Sequence, residues 1–299
     1  MSKSFIVGAY ASLPDESKHS DYYQILAQQD WIDGIEIPYP GVIKDGAATF
    51  AKVLPEHWTT NTITAIPGTM QNVWKEPHFG LASPEESGRE AALDFCEGFR
   101  RSVIELNTAT GRNSISAIQL HSAPTELADA DAFSTSLQQL LQWDWGGAEI
   151  VIEHCDKFIS SQKPEKGFLA IEEEINIARQ LGIGIHINWG RSVVEGRTAE
   201  AALEHITQCA EAEVLAGVVF SGAGPDATQY GYEWIDGHLP SSAYEPTSLL
   251  TSREIRRCAE AASSAKYLGA KICVPENASL PERVQMLRNI YDSTKGIEK

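Results

Sequence analysis

The chain has 299 residues, and its 24 Lys+Arg against 41 Asp+Glu give a formal net charge of −17. That acidity argues against a nucleic-acid or anionic-membrane partner, because such binding is driven by basic side chains that displace counterions. With 42% hydrophobic and 22% charged residues the composition is that of a globular protein, and the length admits either two domains of roughly 150 residues or one barrel of about 250–300.

In chain order, the first apolar stretch, Phe5–Ala11, is too short for the core of a signal peptide and lacks a cleavage site. No run reaches the roughly 18 apolar residues of a membrane span, and the five cysteines, at 96, 155, 209, 258 and 273, form no CxxC pair. A reduced, cytoplasmic protein is expected. Short β-branched runs then recur between segments of helical periodicity. The predicted strands are Phe5–Ala11, Gly34–Pro38, Thr62–Ile66, Ser116–His121, Glu149–Glu153, Gly182–Asn188, Leu215–Ser221 and Ala270–Pro275. Helices are predicted near 16–29, 45–56, after Ser83, and near 125–142, 164–181, 198–212, 252–268 and 280–294. Ser83-Pro-Glu-Glu86, Thr251-Ser-Arg-Glu254 and Ser279-Leu-Pro-Glu282 read as helix starts with a hydroxyl cap and a glutamate three residues on. After Ser83, the residues Ala92, Phe95, Cys96, Phe99, Val103 and Leu106 recur at spacings of three and four, one buried face. Eight strands alternating with helices fit a single (β/α)8 TIM barrel over 1–299 better than an open sheet. The absence of GxGxxG after the first strand and of GxxxxGK[ST] argues against a nucleotide cofactor. The Gly- and Pro-rich segments 67–83 and 221–248 read as long βα loops, where function concentrates.

In such a barrel, chemistry is carried at the C-terminal strand ends. Those ends supply Tyr10, Glu36, His121, Glu153, His186 with Asn188, Ser221 and Glu276. Glu153 closes Ile-Val-Ile-Glu and Glu276 follows Ile-Cys-Val-Pro, so two carboxylates are expected at the rim, able to share acid and base duties or to hold a divalent cation. His121 and His186 are candidate bases, ligands or substrate clamps, whereas His154, next to Glu153, should face the other way and serve structure. Loop residues Tyr230, Tyr232, Trp234, Asp236 and His238 suit stacking on, and hydrogen bonding to, a polyhydroxylated ring beneath a lid. Trp74 and His78 would form the opposite wall. The acidic pairs Glu85–Glu86 and Glu172–Glu174 read as solvated helix faces or as charge at helix N-termini.

Taken together, Asp33-Gly-Ile-Glu36, His121, Ile152-Glu153, Asn188-Trp-Gly-Arg191 and Pro275-Glu276 resemble the strand ends of the xylose-isomerase-like TIM barrels, a superfamily of sugar isomerases and epimerases, inosose dehydratase and endonuclease IV. The resemblance runs from Ser4 to about Leu287 and points to an uncharacterised branch. It implies a divalent metal (Mn, Mg, Co or Zn) held by a strand-five Glu, a strand-six Asp, a strand-seven His and a strand-eight Glu, with a second His three residues past that Asp. Glu153 and Glu276 match the two glutamates. Asn188 stands for the Asp, Arg191 for the second His, and Val219 or Phe220 for the strand-seven His, so the implied site is degenerate: a retained metal would use Glu153, Glu276 and Asn188, and without one Arg191 would supply positive charge.

The expected activity is isomerisation, epimerisation or elimination on a sugar by proton abstraction next to a carbonyl. Glu153 and Glu276 would be the acid–base pair, with His121 and His186 orienting the substrate. Tyr10, Glu36, Trp74, Asn188, Arg191, Tyr232, Trp234, Asp236 and His238 would bind it. The alternative is a non-catalytic carbohydrate-binding or regulatory protein that has lost the metal site. A retaining glycosidase ranks lower, because its glutamates would follow strands four and seven. The expected partner is a small carbohydrate, with assembly into a homo-oligomer left open.

Overall fold

In the computed structural model, which describes residues 3–296, eight parallel strands follow in sequence order around a closed barrel. They are β1 (Ser4–Val7), β2 (Gly34–Pro38), β3 (Asn61–Thr64), β4 (Ile115–Leu120), β5 (Glu149–His154), β6 (Gly184–Asn188), β7 (Leu215–Phe220) and β8 (Tyr267–Ala270). The helices are α1 (His19–Ala27), α2 (Ala47–Phe50), α3 (Ile66–Val73), α4 (Glu86–Thr110), α5 (Ala130–Leu140), α6 (Ile171–Leu181), α7 (Trp189–Gly196), α8 (Ala199–Glu211), α9 (Ser252–Ala261) and α10 (Leu280–Thr294). Among the described residues no helix is long and apolar enough to cross a membrane.

The chain divides into two compact units, one holding the described residues up to Glu36 and from Ile187 onward, the other Ile37–His186. In the first, β8 pairs with β1 and β7, in registers that include Ile6↔Gly269 and Phe220↔Ala270. Side chains alternate across a strand. Ile6, Val219 and Tyr267 therefore meet as one buried cluster, while Phe5 on the opposite face packs against Trp31 and Tyr291 with ring centroids 5.8 and 5.1 Å away. A Cβ on Gly217 would lie 2.2 Å from the Tyr267 ring, so glycine is what lets that ring lie across the sheet. The caps predicted at α9 and α10 form: Thr251 accepts from the Glu254 N–H, and Ser279 and Glu282 make a reciprocal capping box.

In the second unit, β4 pairs with β3 and β5, and α4 buries the predicted face: Ala92, Cys96, Phe99, Val103 and Leu106 are buried. Phe99 stacks on Tyr39 at 4.8 Å. Each such fully buried large side chain contributes about 1.5–3 kcal/mol relative to exposure.

Several expectations shift. The predicted strand Phe5–Ala11 ends at Val7, and Ala9–Ser12, which includes Tyr10, forms a short 3-10 helix. Ser83 does not cap α4; its hydroxyl accepts from the Glu85 N–H and the helix begins at Glu86. The segment 67–83 is partly helical, because α3 has Pro67 in its first turn, where a missing N–H costs nothing. Helix α7 starts directly after β6, Asn188 accepting from the Gly190 N–H as its cap. Strand β8 lies at Tyr267–Ala270, starting three and ending five residues earlier than Ala270–Pro275, and that shift changes the identity of the residue at its end.

Candidate active site

Two buried groups of charged side chains stand at strand ends, one in each unit. In the second unit Glu153 is fully buried near the end of β5. Its Oε2 accepts the Thr64 hydroxyl at 2.5 Å and lies 2.6 Å from His121 Nε2, just past β4. His186, also fully buried, offers a ring nitrogen within 4.8 Å of a Glu153 carboxylate oxygen. Hydrogen bonds to an ionised carboxylate are the short, strong ones. Here two short contacts converge on one carboxylate oxygen and fix its position. Thr64, which the sequence reading passed over, is the residue that holds Glu153 from β3.

One residue on, His154 turns to the other face as expected, its Nδ1 at 2.7 Å from Glu174 Oε2. Glu174 corrects the solvated-face reading of Glu172–Glu174: it is fully buried and also accepts the Ser122 hydroxyl at 2.6 Å. Burying a carboxylate requires such partners, and here they tie α6 to the ends of β4 and β5.

In the first unit the group is Lys271, Glu36 and Tyr10. Lys271 is the first residue past β8, with its side chain fully buried. Its Nζ donates to Glu36 Oε1 at 2.7 Å and to the Tyr10 hydroxyl at 3.1 Å. The Tyr10 hydroxyl in turn donates to Glu36 Oε1 at 3.1 Å, and Nζ lies 5.5 Å from the Tyr10 ring centroid. A Cβ on Gly8 would sit 2.7 Å from Cβ and Cγ of Lys271, so Gly8 forms the cradle in which the lysine stem lies. The sequence did carry a signal for Lys271. In Tyr267-Leu-Gly-Ala-Lys the period of two puts Tyr267, Gly269 and Lys271 on one face, but the glycine hid the strand.

Glu276 is exposed, six residues past β8, and its backbone carbonyl accepts from Arg283 Nη2 at 2.7 Å. The expected second rim carboxylate is corrected accordingly: the apolar run Ile272–Val274 is not strand, and the position at the strand end is taken by a cation.

The loop after β7 is pinned rather than free. Gly222 and Leu239 exchange backbone hydrogen bonds at 2.8 and 2.9 Å, and the Trp234 N–H donates to Gly224 O at 2.9 Å. Buried Arg191 donates from Nε to Asp236 Oδ2 at 3.0 Å. Asp236 Oδ1 lies 3.4 Å from His238 Nδ1, which is 3.0 Å from the Ser221 hydroxyl. Trp234 and His238, on either side of Asp236, have φ of 57° and 51°, a left-handed conformation that costs non-glycine residues energy and is held by its surroundings. Trp234 lies under Arg197 at 5.0 Å. Trp74 and Tyr232 are 75% and 49% exposed, which leaves the expected aromatic walls standing largely in solvent. His78 makes an exposed pair with Glu85 at 3.2 Å.

The profile of DUF4862, a domain of unknown function, matches residues 6–286. The chain belongs to that family. A Salmonella typhimurium relative described as uncharacterized protein STM3670 is 31% identical over 95% of this chain and 94% of its own. Among solved structures, a D-psicose 3-epimerase in the presence of D-fructose aligns over 99% of both chains with TM-score 0.61 and 13% identity. An AP endonuclease of family 2 from Brucella melitensis aligns over 94% of this chain and 96% of its own, with TM-score 0.58 and 13% identity. The DUF4862 chain thus has the xylose-isomerase-like barrel fold, a scaffold shared by proteins of different activity.

The metal implied by that resemblance finds a poor set of donors in this DUF4862 chain. Within the second unit, Glu153 and His186 have suitable chemistry. However, the Asn188 oxygen is used as a helix cap, Val219 and Phe220 are buried apolar residues, and the strand-eight position holds an ammonium. A hard divalent ion wants several anionic or carbonyl oxygens and no cation among them.

Proposed function

We propose that the DUF4862 chain is a sugar or sugar-derivative isomerase, epimerase or related lyase that removes a proton from the carbon next to a carbonyl, with Glu153 as base. The observation that carries this reading is the buried Glu153 carboxylate, held by Thr64 and His121 at a strand end. A carboxylate so fixed needs no reorganisation to meet a C–H bond. His121 stands ready to take over the proton or to protonate the neighbouring carbon or oxygen, and His186 to orient a substrate hydroxyl. Isomerisation and epimerisation differ only in where the proton returns; elimination follows when a leaving group lies beside the carbanion. The sugar-epimerase neighbour supports the class through the fold alone.

The test is a panel of ketoses, aldoses, uronates and their phosphates incubated in D2O and followed by NMR. Glu153→Gln should lower exchange or turnover by at least about 10²-fold, the lower end of what positioned acid–base groups supply. Sugar binding without turnover across the panel would instead support a binding protein that lost catalysis.

A further inference from the structure

We infer that Lys271 is a resident cation at the end of β8, its buried ammonium occupying the Glu36 carboxylate in place of a divalent ion. The backbone ladder continues through it: the Lys271 N–H donates to Phe220 O at 2.9 Å, and the Gly8 N–H to Ala270 O at 2.8 Å. Its side chain shares the face of Tyr267, which packs on Ile6 and Val219. It is therefore a strand-end residue built into the sheet, with a glycine opposite to make room for its stem.

A lysine without exposed surface is rare unless paired, and here the pair is complete: Glu36 balances the charge and Tyr10 bonds to both. An ammonium 2.7 Å from Glu36 competes directly with any metal for that carboxylate, since two cations at such range repel strongly in a low-dielectric interior. What the cation does chemically, namely stabilise negative charge developing on a substrate oxygen, rests on the proton-abstraction reading. The exchange of metal for lysine does not, and its test needs no turnover.

The full-length chain is titrated with MnCl2 by calorimetry and with CoCl2 by visible absorption. Native protein should bind neither ion stoichiometrically, and Lys271→Glu, which replaces the ammonium with a second carboxylate beside Glu36, should acquire one Co2+ with ligand-field bands. Should Lys271→Glu misfold, Lys271→Gln removes the charge and keeps a polar group, and Mn2+ affinity should rise by about tenfold or more, the equivalent of 1.4 kcal/mol. Stoichiometric Mn2+ or Co2+ binding by the native chain, lost in Glu36→Gln, would overturn the inference. So would a folded Lys271→Gln whose Mn2+ affinity equals the native one.

Discussion

Single side chains in this molecule divide into those that hold charge and those that hold shape. Arg191 and Asp236 form an ion pair with side chains 1% and 5% exposed; removing one partner costs a buried charge its ion-pair contact. Asp236→Ala should therefore destabilise the protein by about 3–5 kcal/mol, read from urea unfolding, and a loss below 1 kcal/mol would show that the pair is not what pins the loop. Burial pushes the Cys96 and Cys258 thiols up to about 12, so neither forms a thiolate at neutral pH. Folded protein should resist iodoacetamide at both positions at pH 8 and react once denatured, as mass spectrometry of peptides would report. Glu153, His121 and His186 were readable as candidates because each lies in or at the end of a short apolar run. Glu174 was not, since glutamate defaults to the surface and its partner His154 lies on another element, and the period-two signal at Lys271 was masked by Gly269 and by the same surface preference of lysine.

Elements were more legible than residues. Strand β2 has the predicted bounds, Gly34–Pro38, and the alternation of strand and helix sufficed for the barrel. Three of the misses share an origin, which is glycine: Gly269 in β8, Gly68 in α3 and Gly190 in α7 all argue locally against regular structure, and close packing overrides that preference in each. Gly8 tests the point at the turn after β1. Gly8→Ala would bring a methyl to 2.7 Å from the stem of Lys271, where the backbone rather than a flexible chain end must yield. Overpacking of this kind should cost about 1–3 kcal/mol, with a lowered melting temperature as the readout; an unchanged melting temperature would mean the lysine stem has room elsewhere.

At the scale of the whole molecule the charge of −17 sets the conditions under which substrate arrives. An anionic sugar should be repelled at long range, and raising ionic strength from about 0.01 to 0.15 M, which shortens the screening length from about 30 to 8 Å, should increase kcat/KM for a sugar phosphate or uronate and leave a neutral sugar unaffected. The opposite salt response would indicate a locally basic entrance. The barrel supplies eight strand ends, and the proposed proton transfer beside a carbonyl rests on the carboxylate of Glu153 held at one of them. The most direct measurement is deuterium wash-in from D2O at the carbon next to the carbonyl of a ketose, compared between native protein and Glu153→Gln. The native chain should catalyse exchange and the variant should lose at least about 10²-fold of it; equal exchange in both, or none from any sugar with the native chain, would rule out Glu153 as the base.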